Sequence, residues 1–222
     1  MNKEEEYVLG LDVSTKTIGI ALYENLGERG KLTALTHVTP KIKPLPPTKT
    51  QELFEKCDIF DEQCLDKYKG LNITRVIIEE PLLRSNNVNT VGTLLRFNGM
   101  ISRAVYKKLG VVPDFISSFD SRKYAFPELM DIRTHNKKGE RYSEKDIEKK
   151  IRLNQTTLFG ALPWEVDKKT VVWEKVSYLY PQITWGYNRN QVLAKENYDM
   201  SDAATCVLGF MNKIDEWPAD KR

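Results

Sequence analysis

Cysteine and histidine, the residues that build disulfide frameworks and zinc sites, are scarce in this sequence. Its 222 residues include three cysteines and two histidines. The cysteines are odd in number and have no C-x-x-C spacing, so neither a disulfide framework nor a zinc site is indicated. The histidines form no pattern with a partner residue, and neither is assigned a role. The residues concerned are Cys57, Cys64, Cys206, His37 and His135.

Long apolar runs are also missing. No segment approaches the roughly eighteen apolar residues that a membrane-spanning helix needs. The segment Met1–Glu6 is acidic, where a signal peptide would be basic and then apolar. We therefore expect a soluble, cytoplasmic protein. A chain of 222 residues is long enough for one full hydrophobic core and short for two lobes, which predicts one domain over residues 1–222.

Negative charge is missing from one segment, Leu82–Pro113, which nevertheless carries five basic residues. Arg96, Arg103 and Lys107 follow one another at intervals of seven and four residues, and on a helix they would form one stripe. Because no acid accompanies them, we predict contact with phosphate groups; an ordinary solvated helix face is the alternative. Arg84, near the start of the same segment, would extend this basic track.

The spacing of apolar residues predicts strands and helices in a definite order. Three segments rich in β-branched and aromatic residues predict three antiparallel strands. A proline-rich linker, an amphipathic helix, a strand, a long helix ending at Gly110 and a short strand follow. The predicted fold is therefore α/β, with a mixed five-stranded sheet flanked by helices. The predicted strands are Tyr7–Val13, Thr17–Glu24, Lys31–Val38, Thr74–Glu79 and Asp114–Ser118.

The stretch from about residue 127 to 165 interrupts this alternation of strands and helices. It contains Gly139, clustered lysines and asparagines, and one polar helical segment at about Ser143–Gln155. We interpret it as an insertion or a flap. Two further helices are predicted after it, at Val166–Tyr180 and Met200–Ile214.

Acidic residues occur where predicted apolar segments end or begin. Asp12 and Glu79 each end an apolar run, and Asp199 and Asp202 lie three apart, just before an apolar helical stretch. A fold that joins these places makes a four-carboxylate pocket. Two carboxylates about 4 Å apart repel by roughly 4 kcal/mol at an effective dielectric of 20, so the pocket needs a proton, a basic partner or a metal. Oxygen ligands suit Mg²⁺ or Mn²⁺, which in pairs serve phosphodiester hydrolysis.

Each acid also has a plain structural interpretation. Asp12 alone is typical of a turn between strands, and Asp199 and Asp202 could cap a helix. Neither idea accounts for an acid after the apolar strand that ends at Glu79. Glu80 is the competitor of Glu79; strand alternation places Glu79 on the same face as Ile77 and favours it provisionally.

The order of these elements and acids resembles the RNase H-like fold of the retroviral integrase superfamily. Three motifs resemble those of the RuvC family of Holliday-junction resolvases: Gly10–Gly19 the first, Val76–Pro81 the second and Asp199–Ala204 the last. Val13–Ser14 replaces the Pro-Gly of bacterial members. Together with the insertion, this departure is more similar to phage-encoded relatives.

The resemblance implies an activity and a set of site residues. It implies a homodimeric DNA endonuclease that resolves four-way junctions with two Mg²⁺ ions, or Mn²⁺ as substitute, in a bacterial or phage-infected cell. By position, Lys123 and one or both of Lys168 and Lys169 would lie near the scissile phosphate. The metal ligands would be Asp12, Glu79, Asp199 and Asp202.

Dimerisation has a second, independent indication in the predicted long helix. Its apolar residues exceed what contact with one sheet obviously requires, which predicts a further interface. They are Leu94, Leu95, Met100, Ile101 and Val105.

Other functions are compatible with the same residues. A RuvC-like nuclease could act on flaps, forks or other branched DNA, and the sequence does not separate these substrates. The phosphate-binding hairpin of sugar-kinase and actin-like ATPases also begins with an Asp followed by Gly, Ser or Thr residues. These ATPases usually need two such lobes around ATP, but this chain has room for one and lacks a second phosphate hairpin or a glycine-rich adenosine loop. A junction-binding protein without catalytic activity is disfavoured by the complete set of acids.

Overall fold

A five-stranded mixed sheet forms the centre of the protein. The computed structural model describes residues 5–25, 30–81, 87–162 and 164–215. The strand order is β3-β2-β1-β4-β5, with β2 antiparallel to β1 and β3, and with β4 parallel to β1 and β5. This is the α/β arrangement that the sequence predicts. The strands are β1 (Tyr7–Val13), β2 (Ile18–Glu24), β3 (Lys31–Val38), β4 (Ile73–Glu79) and β5 (Asp114–Ile116).

Seven helices accompany the sheet within the described ranges. Polar residues cap several of them: Asn87 accepts hydrogen bonds at the start of the longest helix, and Gly110 ends that helix in the left-handed conformation. The helices are α1 (Lys49–Phe60), α2 (Asp66–Tyr68), α3 (Val88–Leu109), α4 (Ser118–Ala125), α5 (Glu144–Arg152), α6 (Lys168–Leu179) and α7 (Glu196–Ile214). A π-helical turn, Asp61–Leu65, joins α1 to α2. None of the helices in the described ranges is long and apolar enough to cross a membrane.

The two faces of the sheet bury different sets of side chains. Leu9, Leu11 and Ile78 contribute to one core together with α1 and α3. Val8 and Ile77 contribute to the other, which is built with α6 and α7. Because successive side chains of a strand alternate between faces, residues two apart in β1 and β4 meet the same helices. This alternation decides which side of the sheet the strand-borne acids occupy.

The structure differs from the sequence-based prediction at two helix boundaries. A helix begins at Ser118, where the sequence was expected to continue as a strand, because Ser117 accepts a hydrogen bond from the Asp120 N–H and starts the helix instead. The last helix begins at Glu196 and not at Met200. Both differences alter how the candidate site is built.

The stretch 127–165 contains more regular structure than the sequence suggests. Two short strands, β6 (Met130–Ile132) and β7 (Thr156–Leu158), pair antiparallel and enclose α5 between them. Each strand has three residues, too few for a period of two to be recognised in the sequence. The hairpin sits next to α4 and the start of α6, and together these elements line a cavity.

Candidate active site

The two strand-borne acids lie side by side because their strands are parallel neighbours. Leu11 pairs with Ile78, and Asp12 and Glu79 each follow by one residue. By alternation, Glu79 lies on the same face as Ile77, which belongs to the core beneath α7. The sheet register therefore presents two carboxylates to the start of α7.

Two glycines allow α7 to lie close to this edge of the sheet. Gly10 packs against the backbone carbonyl of Ala203, and Gly19 packs against the backbone carbonyl of Asp199, so that a Cβ atom at either glycine would overlap these atoms. Gly19 is also the residue paired with Asp12 across β1 and β2. The glycines thus place the first turns of α7 directly over the strand-borne acids.

Asp199 and Asp202 lie on one face of the first two turns of α7, three residues apart. Lys195 is the N-cap residue, and no side chain makes a capping hydrogen bond there. The interpretation of these acids as helix caps is therefore wrong. The Asp202 side chain is 6% exposed and that of Asp199 is 19% exposed, so both carboxylates are largely withdrawn from solvent.

Burial raises the pKa values of all four carboxyl groups, and the charges of neighbouring acids add to the effect at Asp12, Glu79 and Asp199. Removal from bulk water raises the pKa of Asp12 well above its ordinary value, and the charges of Glu79, Asp202 and Asp199 raise it further. Burial, followed by the charge of Asp202, raises the pKa of Glu79 to about 7. Burial is also the main reason that the pKa values of Asp199 and Asp202 are raised. The cluster is short of positive charge.

Two basic side chains supply part of that charge. Lys169 Nζ lies 3.5 Å from Asp199 Oδ1, and Arg122 Nη2 lies 3.5 Å from Asp202 Oδ1. Partial burial of Lys169 opposes its protonation, but the charges of Asp202, Asp199 and Asp12 outweigh this effect and raise its pKa. Lys169 therefore lies beside the acids, and its contact with the scissile phosphate stays a prediction.

Arg122, and not Lys123, is the basic residue of α4 that contacts the acids. The Lys123 ammonium group lies over the rings of Phe119 and Tyr124, at 5.9 and 5.7 Å from their centroids. The side chains of Arg122 and Lys123 have different surroundings because α4 is a helix, on which adjacent residues point in different directions; a catalytic role of Lys123 stays a prediction. Sequence reasoning missed Arg122 because it did not recognise α4.

Cys206 is a further neighbour of the cluster that sequence reasoning missed. It lies one helical turn after Asp202 and is fully buried, and its Sγ donates a long hydrogen bond of 3.8 Å to Glu79 Oε2. Burial and the nearby charge of Glu79 raise the pKa of the Cys206 thiol well above its ordinary value. The thiol is therefore a neutral donor that helps to orient Glu79.

Glu80 is placed apart from the cluster. It is exposed, and it lines a separate groove with Pro81 and Leu95. The charge of Glu79, in contrast, raises the pKa of Asp12, and the charge of Asp202 raises the pKa of Glu79. The geometry thus agrees with the choice of Glu79 over its neighbour.

Lys168 precedes Lys169 in the sequence but faces a different space. It lines the cavity between α4 and the β6–β7 hairpin, together with Arg122 and Arg133. Partial burial and the charges of these two arginines lower the pKa of Lys168. The two lysines at the start of α6 therefore have different surroundings.

The basic stripe on α3 is exposed, but acids accompany it in space. Arg96, Arg103 and Lys107 are all exposed. Arg103 and Lys107 line a groove that also contains Asp58 and Asp61 of the neighbouring helical segment. The segment that forms α3 has no acidic residues of its own, but acidic residues of another segment lie near it in the folded protein. Arg84 lies outside the described residues.

The apolar residues of α3 mostly serve the core. Ile101 and Val105 are fully buried, and Met100 packs against the same core. Leu95 is 44% exposed. The apolar surplus that the sequence suggested for a second interface is therefore smaller than expected.

The donor set at the cluster fits a hard divalent cation. Its four side chains offer only oxygen ligands, and their pKa values are raised mainly by burial, a cost to the charged form that a bound cation would offset. Across the described ranges, however, no three Asp, Glu, His or Cys side chains are already grouped as a metal-binding set. Without a metal ion, Asp199 is paired with Lys169 and Asp202 with Arg122.

Comparison with known proteins identifies the fold. No known protein family matches the sequence, and no curated protein matches it either. Among solved structures, the chain is similar to Thermus thermophilus RuvC in complex with a Holliday junction substrate, with 10% identity, 95% of each chain covered and a TM-score of 0.52. It is also similar to another Thermus thermophilus RuvC structure, with 15% identity, 94% of this chain and 96% of that one covered, and a TM-score of 0.51. The protein therefore has the RNase H-like fold of RuvC.

Proposed function

We propose that this protein is a RuvC-like, divalent-metal-dependent endonuclease that resolves four-way DNA junctions. The observation that carries the proposal is the convergence of four carboxylates from β1, β4 and α7 at one edge of the sheet. Similarity in fold to a RuvC structure that contains a Holliday junction supports the choice of substrate. A RuvC-like nuclease acting on other branched DNA is the alternative within the same class.

The four acids of the cluster would hold the metal, with Mg²⁺ as the expected ion and Mn²⁺ as a substitute. Bound divalent ions supply positive charge that activates a water molecule and stabilises the leaving oxygen in phosphodiester hydrolysis. Asp202 would be kept in position by Arg122, which lies against one of its oxygens. The Lys169 side chain is 53% exposed, so its ammonium group would be able to leave Asp199 and bind a DNA phosphate instead.

Junction substrates favour a two-fold enzyme. A four-way junction has two equivalent strands to cut, and a homodimer presents two identical sites. We therefore include homodimerisation in the proposed function.

The test is cleavage of labelled synthetic DNA with Mg²⁺, Mn²⁺, Ca²⁺ or EDTA. Four-way junctions, flaps, forks and linear duplexes are compared, and ATP hydrolysis is measured beside them. We expect paired cuts in the four-way junction with Mg²⁺ or Mn²⁺, and none with Ca²⁺ or EDTA. Asp12→Asn, Glu79→Gln and Asp202→Asn should each abolish cleavage while leaving DNA binding in place.

Glu80→Gln is the matched control because Glu80 is the adjacent acid and is exposed. It should cut at the wild-type rate. Cleavage in EDTA, or an inactive Glu80→Gln beside a fully active Glu79→Gln, would contradict the proposed site. Faster cutting of flaps or forks than of four-way junctions would favour the alternative substrate class.

A further inference from the structure

A cavity beside the acids is lined by basic residues from three parts of the chain. Arg122 comes from α4, Arg133 follows β6 and Lys168 begins α6; Ser118 and Thr157 add hydroxyl groups. We call this cavity the Arg133 pocket. It measures about 140 Å³, several times the space that one water molecule needs. No acidic side chain of the described chain lines it.

The arginines of this pocket have hydrogen-bond donors without partners. Within the described residues, the Nε groups of Arg122 and Arg133 are buried and have no hydrogen-bond partner. A buried donor without an acceptor destabilises the folded protein, and more so when it is charged. Neither Arg133 nor Lys168 forms an ion pair with another residue in the described ranges. The pocket therefore offers positive charge and donors to an acceptor that the chain itself does not provide.

The charges in the pocket repel one another, which also indicates an anionic partner. Burial lowers the pKa of Lys168, and the charges of Arg122 and Arg133 lower it further. Guanidinium groups bind phosphate oxygens through paired N–H donors, and an ammonium group adds a point charge. The hydroxyl group of Ser118 can donate to the same oxygens; that of Thr157 already donates to the Ala161 carbonyl at 3.1 Å.

Arg122 connects the pocket to the carboxylate cluster. Its Nη2 lies 3.5 Å from Asp202 Oδ1, while its Nε has no partner and its side chain lines the pocket. A strand whose scissile phosphate lies at the acids would thus bring a neighbouring phosphate within reach of the same guanidinium group.

We propose that the Arg133 pocket binds a backbone phosphate of the cut DNA strand, next to the scissile phosphate. The phosphate chemistry follows from the pocket itself, and its assignment to DNA rests on the proposed function. Because Arg133 directly follows β6 in the stretch 127–165, the proposal also gives that stretch a role: it contributes one of the three basic side chains of the pocket.

The first test follows the arginine Nε–H signals by NMR during titration with inorganic phosphate at constant ionic strength. We expect saturable shifts of the Arg133 and Arg122 signals at millimolar phosphate, and their loss in Lys168→Gln. The signal of Arg141 should not move, because Arg141 lies on the same insertion but pairs with Glu144 at 2.8 Å. An Arg133 signal that does not respond to phosphate would overturn the proposal.

The second test measures binding of a four-way junction in Ca²⁺ as a function of salt. Arg133→Gln should weaken binding about threefold to tenfold and reduce the salt slope by about 0.9, the value for one lost phosphate contact. Arg133→Lys should recover part of the loss, and Arg141→Gln should match wild type. Melting temperatures of the variants check that each is folded.

The outcomes separate this inference from the proposed function. If the wild-type protein cleaves junctions and the salt slope of Arg133→Gln equals that of wild type, the role of the Arg133 pocket in DNA binding is refuted and the proposed nuclease activity stands. Absence of cleavage, with both the phosphate shifts and the altered slope present, would refute the nuclease and leave the pocket. Phosphate shifts without any effect of Arg133→Gln on DNA binding would assign the pocket to free phosphate and overturn its role with DNA.

Discussion

Gly19 packs so closely against the backbone carbonyl of Asp199 that a methyl group on Gly19 would overlap it. Gly19→Ala should push the start of α7 away from the sheet and destabilise the protein by about 1–3 kcal/mol. A displacement near 1 Å at catalytic groups lowers activity by about 100-fold, so cleavage should fall more than stability alone explains. Thermal unfolding and single-turnover cleavage measure the two effects.

Gly99→Ala is the control for this prediction. Gly99 lies within α3, and a Cβ there would have no neighbour within 4 Å. Alanine should stabilise that helix by about 0.5–1 kcal/mol and leave cleavage unchanged. Wild-type cleavage in folded Gly19→Ala would show that the close approach of α7 does not position Asp199.

The raised pKa values predict that stability without metal falls as pH rises. Glu79, whose pKa is about 7, holds a proton in the folded protein at pH values where the unfolded chain has lost it. The unfolded state therefore binds fewer protons, and the free energy of unfolding decreases from about pH 5 to 8. A shift of this size corresponds to on the order of 3 kcal/mol. Thermal unfolding in EDTA measures the trend.

Mg²⁺ should reverse this trend because it binds the deprotonated carboxylates. We expect the ion to raise the melting temperature more at pH 8 than at pH 5.5. In EDTA, Glu79→Gln should have a flatter pH profile and exceed wild type in stability at pH 8. A melting temperature of Glu79→Gln that parallels wild type from pH 5 to 8 would contradict this account.

Arg122 and Lys123 provide a test of which basic residue of α4 supports the acids. Removing the guanidinium group that faces Asp202 should raise the pKa of that carboxyl further, since its charge is one cause that lowers it. Arg122→Gln should therefore lower cleavage by about 10-fold to 100-fold and move the pH–rate profile to higher pH. Lys123→Gln should leave the profile in place. The opposite result would restore the assignment made from sequence.

The difference between these two residues shows what the sequence could and could not provide. Strand alternation favours Glu79 over Glu80 from local geometry alone, whereas the position of Glu79 beside Asp12 depends on the register between β1 and β4. Arg122 was missed because α4 has eight residues and a weak apolar pattern, and its start depends on the cap at Ser117. The Arg133 pocket was beyond prediction because its walls come from segments separated along the chain.

The basic stripe of α3 illustrates the same limit. Its spacing correctly predicted one exposed face, but the acids that accompany Arg103 and Lys107 belong to segments more than forty residues earlier. A segment without acidic residues can therefore still have acidic neighbours from other parts of the chain. Contacts between distant segments determine the charge that DNA would meet.

Arg96 should contribute more to DNA binding than Arg103 or Lys107. Arg96 does not line the groove in which Asp58 and Asp61 accompany Arg103 and Lys107. Arg96→Gln should reduce the salt slope of junction binding by about 0.9. Arg103→Gln and Lys107→Gln should reduce it less, because Asp58 and Asp61 share their groove.

Lys31→Gln is the control for the stripe, since Lys31 pairs with Glu24 at the opposite end of the strands from Asp12. Its salt slope should equal that of wild type. An unchanged salt slope in the triple variant of Arg96, Arg103 and Lys107 would show that the stripe is an ordinary solvated surface and does not contact DNA.

Homodimerisation is the prediction on which paired cutting depends. The core accounts for Ile101 and Val105, so an interface would have to use residues that remain exposed, such as Leu95 of α3 at 44% exposure. A stable interface buries about 1,200–2,000 Å² in total. Sedimentation at micromolar concentration should give twice the 25.7 kDa mass of one chain, and Leu95→Glu should shift it toward the monomer while Phe54→Glu, on α1, serves for comparison. A 25.7 kDa species alone, with one chain bound per junction, would refute the dimer and with it the symmetric pair of cuts.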